Sequence, residues 1–137
     1  MKVLGIETSG LVGNIAVCDG NRVVARKSYG KNFSHGKEII SSLESLFNEA
    51  KWEPGDIDLI AVSTGPGSYT GLRVGVTCAK TLAYGLGKPV IDVPTLDVLV
   101  ENVEDNGAKT ICPVLDAKRK SVYACIYEKS GNESRKS

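Results

Sequence analysis

One stretch of sequence restricts the fold more than any other, because small residues recur at every fourth position of a predicted helix. They are Gly71, Gly75, Ala79 and Ala83. Residues four apart are neighbours on a helix surface, so the four would form a nearly smooth stripe. Each glycine costs a helix about 1 kcal/mol relative to alanine, and close approach of another backbone is the usual compensation. That backbone belongs either to an underlying sheet or to a helix of a second chain, and we take the stripe as a candidate partner interface.

Short apolar runs separated by turn residues predict the order βββ-α-β-α-β-α followed by ββ. The predicted strands are 3–7, 14–18, 22–27, 59–62, 90–93, 111–115 and 121–127, and the predicted helices are 34–50, 69–86 and 95–103. The run 59–62 is continuously apolar, which is typical of a strand covered on both faces in a parallel sheet. Residues 128–137 are polar and are interpreted as a tail. The pattern predicts an α/β fold with a mixed sheet flanked by helices.

The first helix has the clearest amphipathic pattern. Ser34 is placed to cap it. Its apolar positions fall on one face at helical spacing: Ile39, Ile40, Leu43, Leu46, Phe47 and Ala50.

Composition argues against several classes of function for the chain alone and leaves a nucleic-acid role within a complex open. The chain has 137 residues, and 17 basic against 16 acidic residues leave a net charge of +1. No overall basic excess is available to hold nucleic acid by bulk electrostatics. No apolar run approaches the roughly 18 residues of a membrane span, and the start is too short for a signal peptide, so we expect a cytoplasmic protein with no membrane partner.

Metal binding is not indicated by the sequence. The four cysteines stand alone, and His35 is the single histidine, expected on the surface. A structural zinc site needs about four Cys or His ligands, usually in close pairs. We therefore predict no metal site and buried, reduced thiols.

A glycine-rich loop around Gly65 and Gly67 lies between a predicted buried strand and a helix, where anions often bind. Its spacing matches neither of the two common nucleotide-binding loops. Thr8, Ser9 and Gly67 remain candidates for binding a phosphate, and a tight turn explains them about as well. The chain has no G-x-S-x-G nucleophile motif.

The segment Gly65-Pro66-Gly67-Ser68-Tyr69-Thr70-Gly71-Leu72-Arg73-Val74-Gly75, together with Glu7-Thr8-Ser9, resembles the bacterial TsaB family. These proteins are non-catalytic subunits of the machinery that makes threonylcarbamoyladenosine in tRNA. The resemblance covers almost the whole chain. It implies an actin-like, Hsp70-type ATPase fold, with a first lobe at 1–106 and the start of a truncated second lobe at 107–137.

The resemblance also implies how such a chain works. Catalytic relatives carry an H-x-x-x-H metal motif where Thr95 and Leu99 stand here, so this chain would not be the enzyme. The catalytic subunit TsaD would bind the first two helices, with Ile39 and Leu43 beside the small-residue stripe. TsaE would join the pair, tRNA would be reached only through the complex, and ATP or ADP is a candidate ligand at the interface of the complex.

Two other functions stay open. One is an ATP-binding phosphotransferase or ATPase of the same superfold, which would use Glu7, Thr8 and Ser9 near the phosphates. The other is a homodimer without a TsaD partner, which the stripe does not distinguish from a heterodimer. The sequence does not favour a peptidase, because no catalytic constellation is recognisable.

Overall fold

The computed structural model describes residues 1–30, 35–103, 107–130 and 133–136. The predicted cap Ser34 lies outside the described residues. So does the boundary at 106, and the division into two lobes at that point stays a prediction.

A five-stranded mixed sheet forms the centre of the fold. Its strands are β1 (Lys2–Glu7), β2 (Gly13–Asp19), β3 (Arg22–Tyr29), β4 (Leu59–Ser63) and β5 (Val90–Val93). Their order is β3-β2-β1-β4-β5, with antiparallel pairing along the opening meander and parallel pairing from β1 through β4 to β5. The predicted meander and parallel strands are confirmed, each to within two residues at its ends.

Three helices connect or follow these strands: α1 (His35–Ala50), α2 (Tyr69–Leu86) and α3 (Thr95–Glu101). The Ser68 hydroxyl caps α2 by accepting a hydrogen bond of 3.2 Å from the Gly71 amide. Gly87 ends α2 with a φ of 64°, a left-handed conformation that glycine adopts at little cost. A single 3₁₀ turn at Pro54–Asp56 follows α1.

The end of the chain contains more strand than the sequence predicts. It comprises β6 (Thr110–Ile111), β7 (Val114–Lys118), β8 (Ser121–Ala124), β9 (Tyr127–Ser130) and β10 (Glu133–Lys136). Strands β7 and β8 form a hairpin, and a separate sheet has the order β10-β9-β6. The expectation of a tail after Tyr127 is therefore wrong. The polar sequence of this segment lacks the apolar alternation that signals a strand. Its strands form because β9 pairs with both β10 and β6.

A second, smaller core joins α3 to these strands. Leu96 and Val100 of α3 pack with Tyr127, which is 3% exposed. The Tyr127 hydroxyl donates a hydrogen bond to Asp97. Burial is the larger cause and this hydrogen bond the smaller cause of a raised Tyr127 pKa. α3 thus anchors the C-terminal strands.

The main core lies between one face of the sheet and the inward sides of α1 and α2. The sheet contributes alternate residues such as Leu4 and Ile6. Ile39 and Leu43 are 3% and 5% exposed and belong to this core, so they do not form a partner surface, contrary to expectation. An amphipathic pattern identifies a buried face without saying what buries it.

The cysteines also differ from expectation. None of the four is fully buried; Cys112 is exposed, and the other three are partly buried. Burial raises the pKa of the Cys78 thiol, so it stays protonated near neutral pH. Within the described residues, no helix is long and apolar enough to cross a membrane.

Substitution of Ala79 by glutamate tests the position of the stripe in the core. Ala79 is 0% exposed in the main core, so Ala79→Glu buries a carboxylate at a cost of several kcal/mol. That cost is a large part of the 5–15 kcal/mol that stabilises a typical domain. We expect a collapse of the cooperative thermal transition measured by circular dichroism.

The neighbouring exposed residue supplies the control. Lys80→Glu introduces the same side chain one position further along α2, and its melting temperature should stay close to that of the wild type. A folded Ala79→Glu protein with a normal melting temperature would contradict the assignment of Ala79 to the core.

Candidate functional site

The first candidate site lies where the ends of β1 and β4 meet the start of α2. The Thr8 amide donates a hydrogen bond of 3.2 Å to the Ser63 hydroxyl, which ties the end of β1 to the end of β4. The Ser68 amide donates a bond of 2.6 Å to the Ser9 carbonyl oxygen. The glycine-rich loop is thereby fixed on the residue that follows β1.

The small-residue stripe of α2 packs directly on this junction. A Cβ added at Gly71 would overlap the Thr8 carbonyl oxygen, and one added at Gly75 would overlap the Thr8 hydroxyl. Further along the helix, Ala79 and Ala83 are buried in the main core. The chain's own sheet therefore supplies the close approach, and the prediction that these four residues form the partner contact is wrong.

The three phosphate candidates do come together, but they differ in access. Thr8 is 0% exposed, and its hydroxyl faces Gly75 with no hydrogen-bond partner among the described residues. It is not presented to a ligand. Ser9 is partly exposed, and the exposed Gly67 packs next to it. Both residues therefore keep the access that a phosphate would need. Phosphate binding at Ser9 and Gly67 stays a prediction.

Glu7 occupies the same junction on the opposite face of the sheet. Its Oε1 accepts a hydrogen bond of 2.5 Å from the Ser9 amide. Its Oε2 is buried without a hydrogen-bond partner among the described residues. This carboxylate borders a cavity of about 580 Å³ that also includes Asn14, Ser28 and Ser63 in its lining. This cavity was not predicted from the sequence, although alternation along the strands places these residues on one face.

The outward side of α2 is the second candidate site. We define the outer stripe as Tyr69, Arg73, Thr77, Lys80 and Tyr84, all of which are exposed and lie opposite the buried stripe. Tyr84 is 94% exposed and Tyr69 is 75% exposed. The Arg73 guanidinium lies 5.5 Å from the centre of the Tyr69 ring. The two residues border a groove of about 310 Å³ that Val74 and Thr77 help to line.

Helix α1 lies beside this surface. A Cβ at Gly36 would come within 3.8 Å of Val74 of α2, and Ile40, one turn further along α1, is 58% exposed. Helix spacing places Ile40 on the same side of α1 as Gly36. The sequence contained a signal for this surface, since Tyr69, Arg73 and Thr77 recur every four residues and Tyr84 follows two helical turns later. The interface prediction rested on the small-residue stripe instead.

At the two positions where the resemblance would place metal-binding histidines, this chain has Thr95 and Leu99. Thr95 is 3% exposed at the start of α3, and Leu99 packs against the smaller core. Among the described residues, no group of three or more His, Cys, Asp and Glu is arranged to hold a metal ion.

Comparison with known proteins identifies the family. The family model described as "TsaD: tRNA N6-adenosine threonylcarbamoyltransferase" matches residues 31–137. The tRNA threonylcarbamoyladenosine biosynthesis protein TsaB of Bacillus subtilis is 37% identical over 93% of this chain, and the Escherichia coli protein of the same name is 29% identical over 96%. This chain belongs to the TsaB family.

Transferases of the related type match less of the chain. The tRNA N6-adenosine threonylcarbamoyltransferase of Prosthecochloris aestuarii is 32% identical, over 68% of this chain and 31% of its own length. The chain spans 56% of the length of the Bacillus subtilis TsaB and 57% of the Escherichia coli one.

Solved structures support the same assignment. YeaZ from Pseudomonas aeruginosa superposes with a TM-score of 0.90 and 26% identity, over 99% of this chain and 64% of that one. A ROK hexokinase from Thermus thermophilus superposes with a TM-score of 0.57 at 14% identity, over 98% of this chain and 49% of the hexokinase. The second likeness concerns the fold alone, and it agrees with the predicted actin-like α/β architecture.

Alanine substitutions at two glycines of α2 test the close approach of the helix to β1. Gly75→Ala places a methyl group against the Thr8 hydroxyl, and overpacking of this kind costs about 1–3 kcal/mol. At Gly85 an added Cβ meets nothing within 4 Å, so Gly85→Ala should stabilise the protein by up to about 1 kcal/mol through helix propensity. Urea unfolding measures both changes.

A double-mutant cycle assigns the clash to its partner. Thr8→Ala removes the hydroxyl that the new methyl group meets, so Thr8→Ala/Gly75→Ala should be less destabilised than the sum of the two single variants. Strict additivity of the two changes would show that Thr8 is not what Gly75 approaches.

Proposed function

We propose that this TsaB-family chain is a non-catalytic subunit that binds a TsaD-type catalytic subunit through the outward surfaces of α1 and α2. In that complex it would support the transfer of a threonylcarbamoyl group to an adenosine of tRNA. Family membership supports the pathway. The observation that carries the docking surface is the outer stripe of α2, which stays exposed while the opposite side of the helix is filled by the chain's own sheet.

The chemistry of the outer stripe suits a protein contact. Tyrosine and arginine are enriched at the centres of protein interfaces, where large rigid groups bury much area with little loss of side-chain freedom. Tyr69 and Tyr84 stand at the two ends of the stripe, about 22 Å apart at the rise of an α-helix. Ile40 of α1 adds an exposed apolar side chain beside them. A pair of helices from a partner, packed against α1 and α2, would cover these groups.

A subunit without catalytic function fits the residues around α3. A buried threonine hydroxyl at Thr95 and the apolar side chain of Leu99 do not replace two imidazole ligands. The metal, the catalytic residues and the carbamoyl-adenylate substrate would then belong to the catalytic subunit. The alternative of an ATP-binding enzyme would use Thr8 near the phosphates. The structure weakens this alternative, because the Thr8 hydroxyl faces Gly75 within the fold.

Several finer points stay predictions. TsaE would join the pair, ATP or ADP would bind at the interface of the complex, tRNA would be reached within the complex, and the complex would be cytoplasmic. Without its partner, the chain would use the same helical surface to form a homodimer.

A charge placed in the middle of the outer stripe tests the docking surface. Thr77 is exposed on α2, so Thr77→Glu should leave the fold intact. Buried at an interface, the unpaired carboxylate should weaken assembly by about 100-fold or more, because its desolvation costs several kcal/mol. The measurement is co-purification with the TsaD-type subunit of the same organism, with the mass of the complex read by light scattering.

Thr110→Glu is the matched control, since Thr110 is an exposed threonine on β6. It should assemble as the wild type does, and light scattering should give the mass of a one-to-one complex. Unimpaired assembly of a folded Thr77→Glu protein would contradict the proposed surface, and a wild-type chain that never binds the catalytic subunit would contradict the proposed function itself.

A further inference from the structure

The near-zero net charge of the chain hides an uneven distribution. Residues 1–106 contain ten lysines and arginines against thirteen aspartates and glutamates, whereas residues 107–137 contain seven against three. The C-terminal 31 residues are therefore distinctly basic, and the rest of the chain is slightly acidic. Such asymmetry often marks a segment that meets a polyanion.

The β7–β8 hairpin concentrates this charge at its turn. We define the basic tip as Lys118, Arg119 and Lys120, three exposed residues in succession. Lys118 is neutralised locally, since its Nζ lies 3.0 Å from Asp116 Oδ2 and its amide donates to Asp116 Oδ1 at 2.7 Å. Arg119 and Lys120 make no ion pair with any described residue. Two uncompensated cations thus project at the end of the hairpin.

The three residues of the basic tip have a backbone conformation that lysine and arginine rarely adopt. Lys118, Arg119 and Lys120 have φ values of 65°, 51° and 61°, in the left-handed region. Turns of this kind favour glycine and asparagine, because other side chains crowd the backbone there. Among the described residues of the hairpin only Lys118 forms an ion pair, with Asp116, so the long cationic side chains of Arg119 and Lys120 call for a role outside the turn.

An exposed aromatic residue lies next to the tip. Tyr123 is 48% exposed on β8, three residues beyond Lys120 and so about 10 Å away along the strand. Val122 beside it is 63% exposed. Cations that reach phosphates, combined with an aromatic ring on which a base can stack, are the usual elements of single-stranded RNA recognition.

We propose that the basic tip and Tyr123 form an RNA contact, in which Arg119 and Lys120 bind backbone phosphates and Tyr123 stacks on an unpaired base. The identification of that RNA as tRNA rests on the proposed function above. A net charge of +1 gives the whole chain little bulk electrostatic attraction for RNA. The contact adds to the affinity of the assembled complex.

The experiment measures binding of fluorescently labelled tRNA to the complex of this chain with the catalytic subunit, by anisotropy at several salt concentrations. In Arg119→Gln/Lys120→Gln, the slope of log K against log salt should fall in magnitude by about 1.4–1.8, the value for two lost phosphate contacts. Affinity at 0.1 M salt should fall at least about tenfold. Tyr123→Leu should lower affinity and leave the slope unchanged.

The control removes the same two charges elsewhere. Arg22→Gln/Lys51→Gln changes exposed residues of the first 106, and it should bind tRNA with the wild-type slope. Light scattering on the same samples reports whether each variant still assembles, which separates failure of this contact from failure of the proposed function.

Three results would overturn the RNA contact. The first is an unchanged salt slope for Arg119→Gln/Lys120→Gln in an intact complex. The second is an equal loss of tRNA affinity in the Arg22→Gln/Lys51→Gln control, which would show that the overall charge of the chain, and not the basic tip, determines binding. The third is loss of assembly in place of RNA binding, which would assign the basic tip to an acidic surface of the protein partner.

Discussion

The fold depends on the contact between α2 and the end of β1. Gly71 and Gly75 have no side chains, and the space that a Cβ would take is filled by the Thr8 carbonyl oxygen and hydroxyl. The loop before the helix is held in place by the bond from the Ser68 amide to the Ser9 carbonyl oxygen. Helix propensity is sacrificed at two positions, and close packing of the helix on the sheet offsets that loss.

This contact divides α2 into two faces with different roles. One face is committed to the sheet and to the main core, so it is closed to a partner. The other face carries the outer stripe, with Tyr69 and Tyr84 in solvent. The same packing orients the helix, since a rotation that exposed Gly75 would bury Thr77. Formation of the monomer core therefore determines which side chains are available for assembly.

Most of the architecture could be predicted from sequence, because its signals are local. The bounds of α2 follow from the Ser68 cap and from Gly87, and β5 follows from a short apolar run after Pro89. The strands from Tyr127 onward could not be predicted, because their sequence has no apolar alternation. They are held by the pairing of β9 with β10 and with β6.

The site was harder to predict than the fold. A stripe of small residues reports that something comes close, and the sequence does not say whether it is a sheet of the same chain or a helix of another. The burial of the Thr8 hydroxyl depends on where α2 lies, which is a tertiary fact. The opposite face, with its exposed tyrosines, becomes informative only once the buried face is known. Polar residues such as Asn14 and Ser28 likewise gain meaning only when the sheet brings them to one cavity.

The measurement that tests the proposed docking most directly is site-specific photocrosslinking in the mixture with the TsaD-type subunit. A photoreactive phenylalanine analogue replaces Tyr84 of the outer stripe, or Val23 of β3, which is 55% exposed on a different element. We predict a crosslink to the catalytic subunit from position 84 and none from position 23. A crosslink from position 23 alone would contradict assembly through the outer face of α2.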